Sequence, residues 1–583
     1  MSRTKILKTI TLVAFAIIAV RLFFIQIIEH DKWVAKASDQ HTLLETIVAK
    51  RGEIYMMNGS EPVQVVLNET VFSVIIDPAV TDKDRIITAL NEHAKDQITA
   101  DLDKVFSTEG LRYYIVAKNV SHSAATKIAD QDIPGVWFQT NNQRAYPEGE
   151  FASGLLGFVN ADGLGQYGVE GSLNKLLSGT NGLLKTTSDI NNVALSIGDD
   201  NVKIPAEDGK DVVLSIDRGL EEKVEELAKA TIANTAATNA SVLVLKADTN
   251  EVLAMANLPN YNPGDYGNVK DESAYINYTT QNPYDPYEPA SVCKSFAFSA
   301  AINEGVMTPE TTYFNDHYDI VDERKIENAW KGSNVYGQIN MKDALNWSLN
   351  TGSMQALRLL GGDAENINRE GREKLYDYYY NRFRLGQKTG IELIEDAGSL
   401  IEPNANMYGL NAAYANMTFG QNLNVTMIQT ITAFSAVVNG GFYRTPTILK
   451  GTIEDGKIVE SNQEDRVEEQ VLSSETSATM RDLLINNRSS KRSQGIDRKG
   501  YSVGGKSGTA QMIIGGAYDT TMEKTVGSYA GFVASEGGMP EYVIMVKLWN
   551  PKGAKLEGKD AGYLFDSISN FVIDYFKIKP GGV

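Results

Sequence analysis

Histidine and cysteine are nearly missing from this 583-residue chain, which has five histidines (His30, His41, His93, His122 and His317) and one cysteine, Cys293. A lone cysteine excludes any intrachain disulfide. Histidines this few and this scattered leave no imidazole cluster for a metal and no imidazole general base, so no metal site is expected. Basic charge is also short: 55 lysines and arginines face 74 aspartates and glutamates, a net charge of −19. That balance excludes nucleic acid as the main partner, and any positive charge in a cleft must be local. With 42% hydrophobic residues and 9% aromatics, the composition is that of a globular chain with a large core and excludes disorder.

Thr9 to Ile28, TITLVAFAIIAVRLFFIQII, is interrupted only by Arg21 and Gln26. Arg3, Lys5 and Lys8 precede it, and Glu29, Asp31 and Trp33 follow. This is the length of one transmembrane helix, and the flanking charges place the N-terminus inside. A cleaved signal with an A-x-A at Ala35 to Ala37 fits less well, because the run is too long and the charged EHDKW intervenes. The expectation is an uncleaved single-pass anchor over 9–28, a cytoplasmic tail over 1–8 and an extracytoplasmic remainder.

Residues 29–187 mix short alternating runs such as VFSVIID (Val71 to Asp77) with many Gly and Asn, which predicts a strand-rich, non-catalytic pedestal domain. A G-x-G-x-x-G at Gly163 to Gly168 lacks the strand-then-helix frame of a dinucleotide site. The polar stretch 188–210 reads as a linker, and 211–583 as the catalytic domain. In that domain Leu220, Val224, Leu227 and Thr231 recur at helical spacing behind Asp217, a candidate N-cap. SVLVLKADTNEVLAMAN reads as a hairpin turning at Asp248 to Asn250. Helical patterns dominate from 291 to about 440. Three further strands follow, then a helix with Leu564, Ile568, Phe571 and Tyr575 on one face. This order predicts an α+β fold with one antiparallel sheet flanked by helices.

GYSVGGKSGTAQ, residues 500 to 511, fits three unrelated signatures: a phosphate loop, a G-x-S-x-G nucleophile elbow and the K-[ST]-G of active-site serine acyl transferases. The phosphate loop needs a strand before it and a helix opening at Lys506. The flanks instead are the polar NNRSSKRSQGIDRKG and a short apolar run ending in two glycines. The elbow needs a later histidine, and none follows Ser502. The third reading needs an upstream S-x-x-K, which EPASVCK supplies at Ser291 and Lys294. Residues three apart share a helix face, so the amine can reach the hydroxyl. NWSLNTG adds Ser348 and Asn350 in the order such enzymes use. Any one of these motifs arises by chance; three in order do not. A decoy K-T-G at Lys388 to Gly390 lacks the strand context, and Cys293, two positions from Ser291, reads as a buried apolar residue.

On these motifs the chain resembles the class B penicillin-binding proteins, single-span D,D-transpeptidases of peptidoglycan synthesis. The likeness extends to RGEIYMMNG (Arg51 to Gly59), RAYPEG (Arg144 to Gly149), GQYGVEGSLNKLLSGTNG (Gly165 to Gly182) and VTMIQTITAFSAVVNGG (Val425 to Gly441). Met56 and Met57 stand where the family commonly has Asp-Arg, Ala290 where Gly often precedes the nucleophile, and Gly154 where His is frequent. The resemblance implies a transpeptidase domain with a five-stranded sheet and the catalytic residues Ser291, Lys294, Ser348, Asn350 and Lys506. Ser507, Gly508 and Thr509 would bind substrate, with backbone N–H groups of Ser291 and Thr509 as the oxyanion hole. No cofactor is implied. The expected substrates are peptidoglycan stem peptides, with β-lactams as covalent inhibitors and a membrane glycosyltransferase of the SEDS family as partner. A septal role is preferred. An elongation role, a β-lactam-hydrolysing or sensing relative and a non-catalytic scaffold are the alternatives. The acceptor amine, lysine or diaminopimelate, the oligomeric state and any need for the partner stay open.

Overall fold

The computed structural model describes all residues except 1, 34–35, 37–41, 188–201, 283–286, 462–465, 490–496, 515–516, 520, 522, 551 and 583. Most of the expected linker and the A-x-A at Ala35 to Ala37 therefore lie outside the described residues. The chain divides into two units, 1–52 with 175–210, and 53–174 with 211–583.

In the first unit a helix spans Arg3–Phe23 and continues as a π turn, Phe24–Ile28. Together they make 26 residues of mean hydropathy 2.4, long and apolar enough to cross a membrane. No side chain in it is buried by protein, as expected of a helix whose apolar surface is meant for lipid. The same unit holds a three-stranded antiparallel sheet in the order Thr42–Ile47, Gly182–Thr187, Val202–Ile204.

The second unit is built on two sheets. One has seven strands, in the order Lys457–Glu460, Leu449–Glu454, Val212–Asp217, Ile54–Asn58, Glu61–Ile76, Tyr114–Ser121, with Val136–Ala145 also paired to Glu61–Ile76. Val212–Asp217 runs parallel to Ile54–Asn58 and antiparallel to Leu449–Glu454. Strands from either side of residues 188–210 thus share one hydrogen-bonded ladder. Here Arg144 of RAYPEG meets Glu170 of GQYGVEG in a buried ion pair of 2.6 Å, and Arg144 also donates to Asn68 at 3.0 Å. Met56 and Met57 are buried.

The other sheet has five antiparallel strands in the order Val252–Leu258, Asn239–Lys246, Tyr542–Trp549, Thr525–Ser535, Tyr501–Gln511. The expected hairpin is present, with Asn250 at φ 55°, the left-handed conformation a tight turn demands. Helices Arg218–Asn234 and Gly558–Tyr575 cover one face, where Leu220, Val224, Leu564 and Ile568 pack with Val242, Val244, Ile544 and Val546. Each such side chain, fully buried, contributes about 1.5–3 kcal/mol. Helix Met427–Val438, buried at every position, belongs to the helical block that includes Lys294–Asn303 and Asn350–Leu360. That block is less purely helical than its sequence suggests. Two ribbons interrupt it, Thr312–Asn315 with Gly337–Asn340 and Tyr318–Val321 with Arg324–Glu327. Four-residue strands are too short to register as a periodicity.

Asp217 ties several of these elements together. Its carboxylate caps Leu220 N at 3.0 Å and accepts from Gly59 N at 3.1 Å and Tyr575 Oη at 2.8 Å. An N-cap alone is worth about 1 kcal/mol. Losing two further, partly buried hydrogen bonds raises the expected cost of Asp217→Ala to about 2–3 kcal/mol. Denaturant unfolding of the detergent-solubilised chain measures it; a loss no larger than a simple cap would mean that the other two contacts are inert.

Candidate active site

Ser291 opens the helical block in a single 3₁₀ turn, Ala290–Cys293, which passes directly into the α-helix Lys294–Asn303. In a 3₁₀ turn side chains at i and i+3 eclipse, so the turn sets Ser291 and Lys294 on the same face. The turn is held from behind. Ala290 sits at φ 49°, and Gly420, at φ 81°, lies so close that a Cβ there would be 2.2 Å from the Ala290 carbonyl oxygen. A left-handed alanine costs about 1 kcal/mol or more, which accounts for a glycine being frequent at that position in the family resembled.

Lys294 is 1% exposed, while Ser291 is half-buried. The lysine Nζ donates to Ser348 O at 2.5 Å, Ser348 Oγ at 3.2 Å and Asn350 Oδ1 at 2.8 Å. Ser348 reaches it twice because its backbone is left-handed, φ 54°. Such strain persists only where surroundings over-determine it. Asn350, the first residue of helix Asn350–Leu360, is itself fixed, since its Nδ2 donates to Glu327 O at 2.8 Å. Phe419 places its ring 6.0 Å from the same Nζ.

The strand Tyr501–Gln511 forms the other wall. A Cβ on Gly508 would lie 2.5 Å from Pro289 O, 2.6 Å from Ser528 Oγ and 3.4 Å from Val292 Cγ2. The strand therefore presses against the turn that carries Ser291, which only a glycine permits. Lys506 is 1% exposed and donates to Ser507 O at 2.9 Å, and Thr509 Oγ1 accepts from Gly558 N at 2.9 Å. Because Tyr501–Gln511 of this stretch is one continuous antiparallel strand paired residue by residue to Thr525–Ser535, it is neither a phosphate loop nor a nucleophile elbow.

The decoys resolve into structural roles. Thr389 N and Oγ1 and Gly390 N of the second K-T-G donate to the Glu395 carboxylate at 2.8–2.9 Å. Cys293 is fully buried, its carbonyl accepts from Tyr379 Oη at 3.2 Å, and burial pushes its thiol far above the usual range. A thiol held protonated is no nucleophile.

Some members of the site carry no motif. Glu327 contributes only a carbonyl, from a ribbon the periodicity does not reveal. Glu288, three residues before Ser291, is 5% exposed; its carboxylate accepts from Tyr518 Oη at 2.5 Å and Asn422 N at 2.8 Å. Burial raises its pKa to about 7. The unusual burial of a glutamate in EPASVCK has no signal in one sequence.

Residues 240–570 match the model of the penicillin-binding protein transpeptidase domain, and residues 46–214 that of the penicillin-binding protein dimerisation domain. The chain belongs to the penicillin-binding transpeptidase family. It is 28% identical to stage V sporulation protein D of Bacillus subtilis over 97% of this chain and 85% of that protein. To the peptidoglycan D,D-transpeptidase FtsI of Buchnera aphidicola it is 26% identical, covering 98% of this chain and 95% of that one. The fold matches penicillin-binding protein 2X of Streptococcus thermophilus with a TM-score of 0.71 at 24% identity, over 92% of this chain and 80% of that one.

For a transpeptidase of this family the two glycine approaches generate a test. Gly508→Ala and Gly420→Ala, of which Gly420 belongs to none of the three motifs, should each slow labelling by a fluorescent penicillin by about 10-fold or more, because a displacement near 1 Å at a reacting centre costs that order or above. Normal labelling of Gly420→Ala would mean that the Ala290 backbone does not need its support.

Proposed function

We propose that this chain is a peptidoglycan D,D-transpeptidase acting through a serine acyl-enzyme on Ser291. The observation that carries the reading is the convergence on Lys294 Nζ of Ser348 and Asn350 from a second motif, with Ser291 three residues earlier on the turn that leads into the same helix. The family match and the name of the Buchnera relative support the substrate class.

In this mechanism Ser291 Oγ attacks the carbonyl carbon of the penultimate D-alanine in a stem peptide, and Lys294 takes its proton. Ser348 with Lys506 passes that proton to the departing D-alanine. Asn350 orients Lys294 and hydrogen-bonds the donor peptide. The strand Tyr501–Gln511 pairs edge to edge with the substrate. Ser507 and Thr509, with Lys506, hold the terminal carboxylate, and Gly508 lets the strand approach. Backbone N–H groups of Ser291 and Thr509 stabilise the tetrahedral oxyanion. An amine of a second stem peptide then displaces Ser291, leaving a crosslink. A β-lactam enters by the same first step and stays bound.

The apolar helix anchors the chain in the membrane. We assign the catalytic unit to the outer side, from the basic residues Arg3, Lys5 and Lys8 ahead of the helix. A SEDS-family glycosyltransferase is the partner we assign to the span and the pedestal. An arginine within a span is costly against lipid and is paired or snorkels, which makes Arg21 a contact candidate. A septal role fits the FtsI relative best.

Penicillin should add one acyl group to the peptide bearing Ser291, found by intact mass and peptide mapping. Ser291→Ala should abolish it, and Lys294→Ala should slow it by about 10² to 10⁴. An adduct on Cys293 or Ser502, or wild-type acylation of Lys294→Ala, would contradict these roles. Arg21→Leu should weaken co-purification with the polymerase while acylation stays intact. Unchanged co-purification would reduce the span to an anchor.

A further inference from the structure

A second buried lysine lies behind the site. Lys547, in the strand Tyr542–Trp549, is 4% exposed and donates to Tyr278 O at 2.8 Å. It is ringed by aromatic faces: Tyr287 at 4.7 Å, Trp549 at 5.9 Å and Tyr278 at 6.0 Å from its Nζ. No carboxylate pairs with it among the described residues, and burial lowers its pKa to about 7. A cavity of about 50 Å³ adjoins it, lined by Lys547, Tyr278, Tyr287, Glu288, Met512 and Trp549 among others.

The register places this lysine in line with the active site. Ser528 is its cross-strand partner on one side and Ser241 on the other, and Ser528 in turn faces Gly508 of the catalytic strand. Side chains of such a row point to the same sheet face, here the face toward the helical block, opposite Val546 and Ile544. Tyr287, the nearest ring, stands four residues before Ser291 and leads through Glu288 and Pro289 into the nucleophile turn.

A buried ammonium with no carboxylate partner lowers stability, and apolar replacements at such places are often neutral or stabilising. Packing therefore gives no reason for a lysine here. We propose that Lys547 is a positioning residue for acylation, its ammonium holding Tyr287 and thereby the lead-in that sets Ser291 against Gly508. The inference rests on Ser291 being the nucleophile. The groups facing Lys547 are Tyr278, Tyr287 and Glu288 from the lead-in, Ser528 and Ser241 from the flanking strands, and Trp549 from its own strand. Glu288 is the only one of them that carries charge near neutrality, and its own pKa, raised to about 7 by burial, overlaps that of Lys547. The variant comparison below removes the lysine alone.

The full-length protein in detergent tests this with Lys547→Met and Tyr287→Leu, using penicillin to measure noncovalent affinity and the acylation rate separately. At about pH 6, where the wild-type amine is charged, Lys547→Met should acylate about 10-fold more slowly with unchanged noncovalent affinity, the size a desolvated cation–π contact allows. The deficit should shrink above about pH 8, where the wild-type amine has shed its proton. The unfolding temperature should hold or rise. Tyr287→Leu should lose the same pH-dependent part, and it decides the matter if Lys547→Met does not fold. Equal rates at both pH values, a deficit independent of pH, or a loss of rate that parallels a loss of stability would overturn the proposal. Absence of any wild-type adduct on Ser291 would instead strike the mechanism on which it rests.

Discussion

One buried amine organises the catalytic unit. Lys294 is 1% exposed, and its Nζ has three oxygens from Ser348 and Asn350 around it. A buried amine without such acceptors would cost several kcal/mol, so the helix bearing Lys294 and the helix beginning at Asn350 cannot separate without exposing that cost. The contact goes with the left-handed backbone at Ser348 and, through Asn350, ties in the Glu327 ribbon. Catalytic geometry and local stability are therefore the same set of bonds.

The five-stranded sheet supplies the second constraint. Its helix-covered face is mainly apolar and packs the strands against two helices. Its other face carries the row Gly508, Ser528, Lys547, Ser241 and Asn257, one residue from each strand. The Gly508 end of this polar row lies against the Ser291 turn, and Asn257 continues it at the other end by donating to Ile276 O at 2.9 Å and accepting from Tyr278 N at 3.1 Å. Rigid strands on one side and specific hydrogen bonds on the other hold a site to within the tolerance that acyl transfer requires.

Much of this was legible in the chain. Period-3.6 and period-2 patterns located the first and last helices of the catalytic unit, the Asp217 cap, the Asn250 turn and all five strands of the catalytic sheet. The three motifs named the residues that surround Lys294. What stayed hidden follows from physics that acts between distant residues. The ribbons at 312–340 are too short for a periodic signal. The Glu327 carbonyl is a backbone group that any residue could supply. Burial of Glu288 and Lys547 is a tertiary fact, because charged residues are ordinarily read as surface. Gly420 carries meaning only once its backbone is seen to lie against Ala290.

The central claim, that Lys294 acts as one unit with the Ser348 and Asn350 motif, is tested most directly by a double-mutant cycle on the penicillin acylation rate with Lys294→Ala, Asn350→Ala and the double variant. Groups that act together are strongly non-additive, so the double variant should be scarcely slower than Lys294→Ala alone. Rate losses that multiply, as for independent residues, would contradict the account.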